Sequence, residues 1–273
     1  MSAEEDSRPS IYSILEEHIE LLPPFVQACR NGDIEAVHAM LADDNVDVNA
    51  LATDILGNVF DIFSKESISA WLEGHGRAAE ITKEMNRRHD LYRYQRTGFI
   101  AACYLGHLPI VELLVSHPQL HHSQLNHGLI AASAGGKAKV VASLLTRTVD
   151  VNFVNDEFAT PLVAASSNGH ATIVELLLEH GEIDVNYMTR SILTTPLIAA
   201  CSSAYCTNVV ALLLAHPRID VNKASYGYQN TALHMAALLG LDDTVLLLLD
   251  TPGIEINAKN NVTALFGIFA DFA

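Results

Sequence analysis

The sequence repeats itself. Thr160-Pro161-Leu162, Thr195-Pro196-Leu197, Thr231-Ala232-Leu233 and Thr263-Ala264-Leu265 follow one another at intervals of 35, 36 and 32 residues. A second tag recurs in step with the first. It reads Val46-Asp47-Val48-Asn49, Val149-Asp150-Val151-Asn152, Ile183-Asp184-Val185-Asn186, Ile219-Asp220-Val221-Asn222 and Ile254-Glu255-Ile256-Asn257. A unit of this length cannot bury its own apolar face, so such units stack and share one continuous core. This rules out a chain built on a single closed core.

The clearest unit runs from Asp156 to Asn186 and predicts two short helices and a hairpin. Thr160 is a good N-cap, and Pro161 stands at the first helical position, where its missing N–H costs nothing. Gly169 ends that helix, and a second opens near Ala171. The second carries Ile173, Val174, Leu176, Leu177 and Leu178, too apolar for a helix exposed on a broad face. Gly181 stops it, and the Ile183–Asn186 tag leads into an extended turn.

These residues resemble an ankyrin repeat, whose period is about 33 residues and whose signature is Thr-Pro-Leu-His-x-Ala. Thr231-Ala232-Leu233-His234 keeps the signature histidine, whereas Val163 replaces it in the unit that starts at Thr160. That histidine normally braces the loops, so Val163 implies drier packing of the same fold. The resemblance implies an all-α ankyrin-repeat solenoid of paired helices with hairpin loops. Thr97-Gly98-Phe99 with Gly106-His107, and His127-Gly128-Leu129 with Gly136, mark two weaker units.

The chain divides accordingly. Residues 1–22 hold a disordered start and an amphipathic helix from Ser10 to Leu22. Ile11, Ile14, Leu15, Ile19 and Leu22 form one stripe, suited to capping the first repeat, and a partner's groove is the alternative destination. Residues 23–49 are a repeat, 97–259 are five repeats, and 260–273 supply only the first helix of another. From Asn49 to Thr97 is 48 residues, against eight from Asn152 to Thr160 and nine from Asn186 to Thr195. Residues 50–96 read as one degenerate, elongated repeat, with an insertion as the alternative.

A net charge of −16 argues against nucleic acid, whose phosphates most of this surface would repel. It favours neutral or basic protein partners. The charge is uneven: Arg77, Lys83, Arg87, Arg88, Arg93 and Arg96 form a basic strip inside an acidic chain. No apolar run reaches the eighteen or so residues of a membrane span. The acidic start lacks the basic, apolar pattern of a secretion signal. A monomer of the cytoplasm, with no membrane association, is the expectation. Cys29, Cys103 and Cys201 each follow an alanine in a first helix, a slot for a small buried residue.

No pattern calls for a catalytic group, a cofactor or a metal. His117, His121, His122 and His127 match no closed tetrahedral ligand set. There is no Gly-rich phosphate loop and no Gly-x-Ser-x-Gly. The rival class is an enzyme whose chemistry lies in the irregular 50–96 segment. The resemblance implies instead a protein–protein interaction module, such as a scaffold, adaptor or inhibitor, or an effector that a bacterium delivers into a host cytosol. By repeat register its contact positions include Tyr104, Leu105, Ser167, Asn168, Leu238 and Leu239 at the ends of first helices. Phe158, Ile192, Tyr226 and Tyr228 would lie at the hairpin tips, and Arg87 and Arg88 form a separate basic contact. The resemblance further marks Asn49, Asn152, Asn186, Asn222 and Asn257 as hydroxylation candidates, with Asn49 and Asn152 first. Each has a leucine eight positions upstream, as the asparaginyl hydroxylase of animal cells accepts. The bland alternative is that each asparagine satisfies backbone groups in its turn.

Overall fold

A computed structural model describes residues 23–43, 45–50, 97–155, 159–189, 194–202 and 206–261. The N-terminal helix, residues 51–96, the tip residues Phe158 and Ile192, Arg87 and Arg88, and everything after Asn261 lie outside them. The chain forms two units, which divide between His121 and His122.

Among the described residues, the first unit holds two helix pairs. Helices α1 (Pro24–Asn31) and α2 (Ile34–Leu41) form one, and α3 (Gly98–Leu105) and α4 (Leu108–Val115) the other. α1 packs on α3 and α2 on α4. Among the described residues, the second unit holds four pairs. They are α5 (His122–Ala134) with α6 (Ala138–Leu145), α7 (Pro161–Ser167) with α8 (Ala171–Leu178), α9 (Pro196–Ala200) with α10 (Thr207–Leu214), and α11 (Ala232–Leu238) with α12 (Asp242–Leu249). In this unit α5, α7, α9 and α11 make one layer, and α6, α8, α10 and α12 the other. The described residues are helix and turn, with no strand.

Local sequence accounts for the helix starts. Thr97, Thr160, Thr195 and Thr231 sit in extended backbone, and each hydroxyl accepts the N–H three residues on. Thr160 and Pro161 therefore play the parts expected of them. The signature histidine does so once: His234 Nδ1 lies 2.8 Å from Thr231 Oγ1 and accepts the Thr231 N–H at 3.3 Å, closing a capping box. At the same position Ile100, Ile130, Val163 and Ile198 are buried and apolar. Val163 is thus the common arrangement of this chain, and His234 the exception.

Val111, Val141, Val174 and Val210 of the second helices are fully buried, as are Leu114, Leu144, Leu177 and Leu213. First helices meet through alanine: Ala102, Ala132, Ala165 and Ala200 admit no solvent. The next slot holds Cys29, Cys103, Ser133, Ser166 and Cys201, all buried. Burial pushes the Cys29 and Cys201 thiols up to about 12 and raises Cys103 well above the ordinary thiol value. These thiols are packing groups, protonated at neutral pH.

One element departs from its expected bounds. The weak unit begins its first helix at His122, well before His127-Gly128, so the stretch that would form a hairpin tip is helical instead. His127 lies edge-on to Phe153 with ring centroids 4.9 Å apart, a contact that explains its place without a metal.

Candidate functional site

The hairpin tags form a ladder of hydrogen bonds. Within four tags the aspartate Oδ1 accepts the N–H of the asparagine two residues on: Asp47 from Asn49, Asp150 from Asn152, Asp184 from Asn186 and Asp220 from Asn222, at 2.9–3.1 Å. Each asparagine then reaches across to the next hairpin. Asn152 Nδ2 donates to Glu182 C=O at 2.7 Å, and its Oδ1 accepts the Asp184 N–H at 2.8 Å. Asn186 holds Arg218 C=O and Asp220 N–H in the same way, and Asn222 holds Gly253 C=O and Glu255 N–H. Asn49 does so with Gln119 C=O and His121 N–H. Arg218 adds bonds back to Gly181 and Ile183 C=O.

Where a tag is missing, another residue serves. The stretch from His117 to His122 carries no Asp-Val-Asn, and the Asp150 N–H is accepted by Asn126 Oδ1 from α5 instead. At the far end the ladder stops: the Asn257 side chain makes no hydrogen bond among the described residues. Glu255, one methylene longer than aspartate, does not hold the Asn257 N–H. Val48, Val151, Val185 and Val221 are between 1% and 8% exposed, whereas Ile256 in the same position is 64% exposed.

The ladder bears on the hydroxylation candidates. Asn49, Asn152, Asn186 and Asn222 must each lose two bonds to the next hairpin before an enzyme can take the segment extended. The Asn257 side chain makes no such bonds among the described residues.

The contact positions divide. Tyr226 and Tyr228 are 68% and 67% exposed, and Leu238 and Leu239 are 73% and 47% exposed. Tyr104 and Leu105, at the end of α3, are half-buried. Ser167 and Asn168 are exposed but turned onto their own helix, each donating to Ala164 C=O at 3.2 and 2.8 Å. Leu246 was not singled out by sequence. It lies on the solvent side of α12, where α4 and α8 carry Glu112 and Glu175, and that substitution was the signal.

Tyr226 and Tyr228 ride on a stiff tip. Ser225 N–H donates to Asn230 C=O at 2.8 Å, and Asn230 N–H to Ser225 Oγ at 3.0 Å. Asn261 N–H donates to Tyr228 C=O at 2.9 Å, Asn261 Nδ2 to Gly227 C=O, and Asn260 Nδ2 to Asn230 Oδ1 at 2.6 Å. Gly227 has φ 85° and Gln229 φ 56°, the left-handed backbone that lets the turn close. No group of three or more potential metal ligands converges among the described residues. No helix among them is long and apolar enough to cross a membrane.

Comparison with known proteins agrees with this anatomy. A family model described as ankyrin repeats (3 copies) matches residues 128–225 and 193–260. The chain is 33% identical over 159 residues to ankyrin repeat and KH domain-containing protein CBG24701 of Caenorhabditis briggsae, covering 57% of this chain and 6% of that one. It is 31% identical over 182 residues to ankyrin repeat and KH domain-containing protein mask-1 of Caenorhabditis elegans, covering 66% and again 6%. The chain thus spans a small fraction of these curated relatives. Among solved structures, the human ASB11 ankyrin repeat domain superposes with a TM-score of 0.60 at 20% identity, over 87% of each chain. Periodic signature, paired helices, threonine caps and the asparagine ladder converge with these likenesses on one family: the chain is an ankyrin-repeat protein.

Proposed function

We propose that this chain binds another protein through its hairpin tips and the exposed ends of its first helices. The observation that carries the reading is the pair Tyr226 and Tyr228, both about two-thirds exposed on a tip closed by hydrogen bonds. Aromatic side chains held in place lose little freedom on binding, and tyrosine is among the residues that dominate interface energies. Leu238 and Leu239 of the next helix add exposed apolar surface in the same repeat. The net charge of −16 favours a partner whose contact surface is neutral or basic. A scaffold, adaptor, inhibitor or delivered effector would each work through such a surface, in cytosol and without cofactor.

The test replaces the anchors. Partners captured by the full chain are identified by cross-linking and mass spectrometry, and affinity for the purified partner is then measured. Tyr226→Ala with Tyr228→Ala weakens binding by on the order of tenfold or more, about 1.4 kcal/mol, with the helical signal unchanged. Unaltered affinity in a folded double variant would sink the proposal.

A further inference from the structure

The repeats at 23–49 and 97–125 are consecutive in sequence only if residues 51–96 are set aside, yet they touch as directly as any consecutive pair in the second unit. His107 Nε2 lies 2.9 Å from Arg30 C=O, matching His170 and Ala134 C=O at 3.0 Å. A Cβ on Gly32 would stand 2.7 Å from the His107 ring, and one on Gly136 would stand 2.7 Å from the His170 ring. A Cβ on Gly98 would meet Cys29 Sγ at 2.9 Å. Asn49 spans to Gln119 C=O and His121 N–H at 2.8 and 3.1 Å, the same two-pronged grip that Asn152 takes on the next hairpin at 2.7 and 2.8 Å.

Packed helices sit about 8–10 Å apart, so an intervening repeat would hold its neighbours at least that much farther from each other. Bonds of about 3 Å leave no room for one. We infer that residues 51–96 are an insertion, leaving the stack after Ala50 and rejoining it at Thr97 within one hairpin connection, and that they contribute no repeat to it. The basic strip from Arg77 to Arg96 then belongs to a segment that the repeat stack does not need.

Two experiments on the full chain test this. Deleting residues 52–90 brings Asn49 and Thr97 to nine residues apart, the spacing from Asn186 to Thr195. The shortened chain keeps hydrogen-exchange protection of α1 to α4 and the unfolding midpoint of the parent. Selective loss of protection in α1 and α2 overturns the inference. If the shortened junction fails to fold, a double-mutant cycle in the uncut chain decides. Gly32→Ala forces a Cβ against His107, so adding His107→Ala makes that substitution cheaper, and the two losses do not sum. Strictly additive losses would mean that the two repeats are not neighbours.

Discussion

Asparagine at the end of each tag joins two requirements in one side chain. Its amide is a donor and an acceptor on one rigid plane, so it satisfies a C=O and an N–H that lie two residues apart on the next hairpin. Aspartate lacks the donor and leucine lacks both, so the tag tolerates neither. Asn222→Ala leaves the Gly253 C=O and the Glu255 N–H without their partner. At about 0.5–1.5 kcal/mol net for each bond, the loss is about 1–3 kcal/mol. Asn257→Ala, with no such bonds among the described residues, costs a few tenths at most. Urea unfolding of the two variants side by side checks the contrast, and equal costs would contradict the ladder.

At the scale of elements, the helix starts were plain in the sequence because threonine, proline and glycine act on their own few residues. The Thr160 cap and the Gly169 stop are local chemistry. The bounds of α5 were not plain, since replacing a hairpin tip by helix from His122 depends on how Asn126 and Leu125 are used by the neighbouring hairpin and core. The half-burial of Tyr104 was hidden for the same reason: exposure belongs to what packs alongside. The turns at His117-Pro118 and His216-Pro217 share a device in which His Nδ1 accepts the N–H two residues on, from Gln119 and Arg218. Burial, and then the Arg218 charge, lowers the His216 pKa below 6.5. The folded chain therefore binds this proton less readily than the unfolded chain. The turn's contribution is complete above about pH 6.5 and is lost as pH falls through the lowered folded value. His216→Asn, which keeps an acceptor for the Arg218 N–H and does not titrate, flattens that part of the stability profile. An unchanged profile would assign the acid sensitivity elsewhere.

Across the second unit, stability adds up from repeats and the faces between them, so a repeat with a bare face opens first. The pair α7 and α8 has a neighbour on each side within this unit. The pair α11 and α12 has the α9–α10 neighbour, but its other face shows exposed Ile256 and half-buried Leu233 and Val245, whose counterparts in the pairs before it are sealed. Hydrogen exchange at neutral pH therefore proceeds faster at the amides of α11 and α12 than at those of α7 and α8, tenfold for each 1.4 kcal/mol of missing interface. A substitution pair sharpens the argument. Leu177 and Leu248 are both fully buried in second helices. Leu177→Ala removes core from a repeat held on both sides and lowers the global stability of the unit by about 2–5 kcal/mol. Leu248→Ala acts on a repeat that already opens alone, so most of its cost appears as faster exchange in α11 and α12, with a smaller shift of the main urea transition. Uniform protection across the four helices, or equal shifts from the two leucines, would show that the unit opens as one.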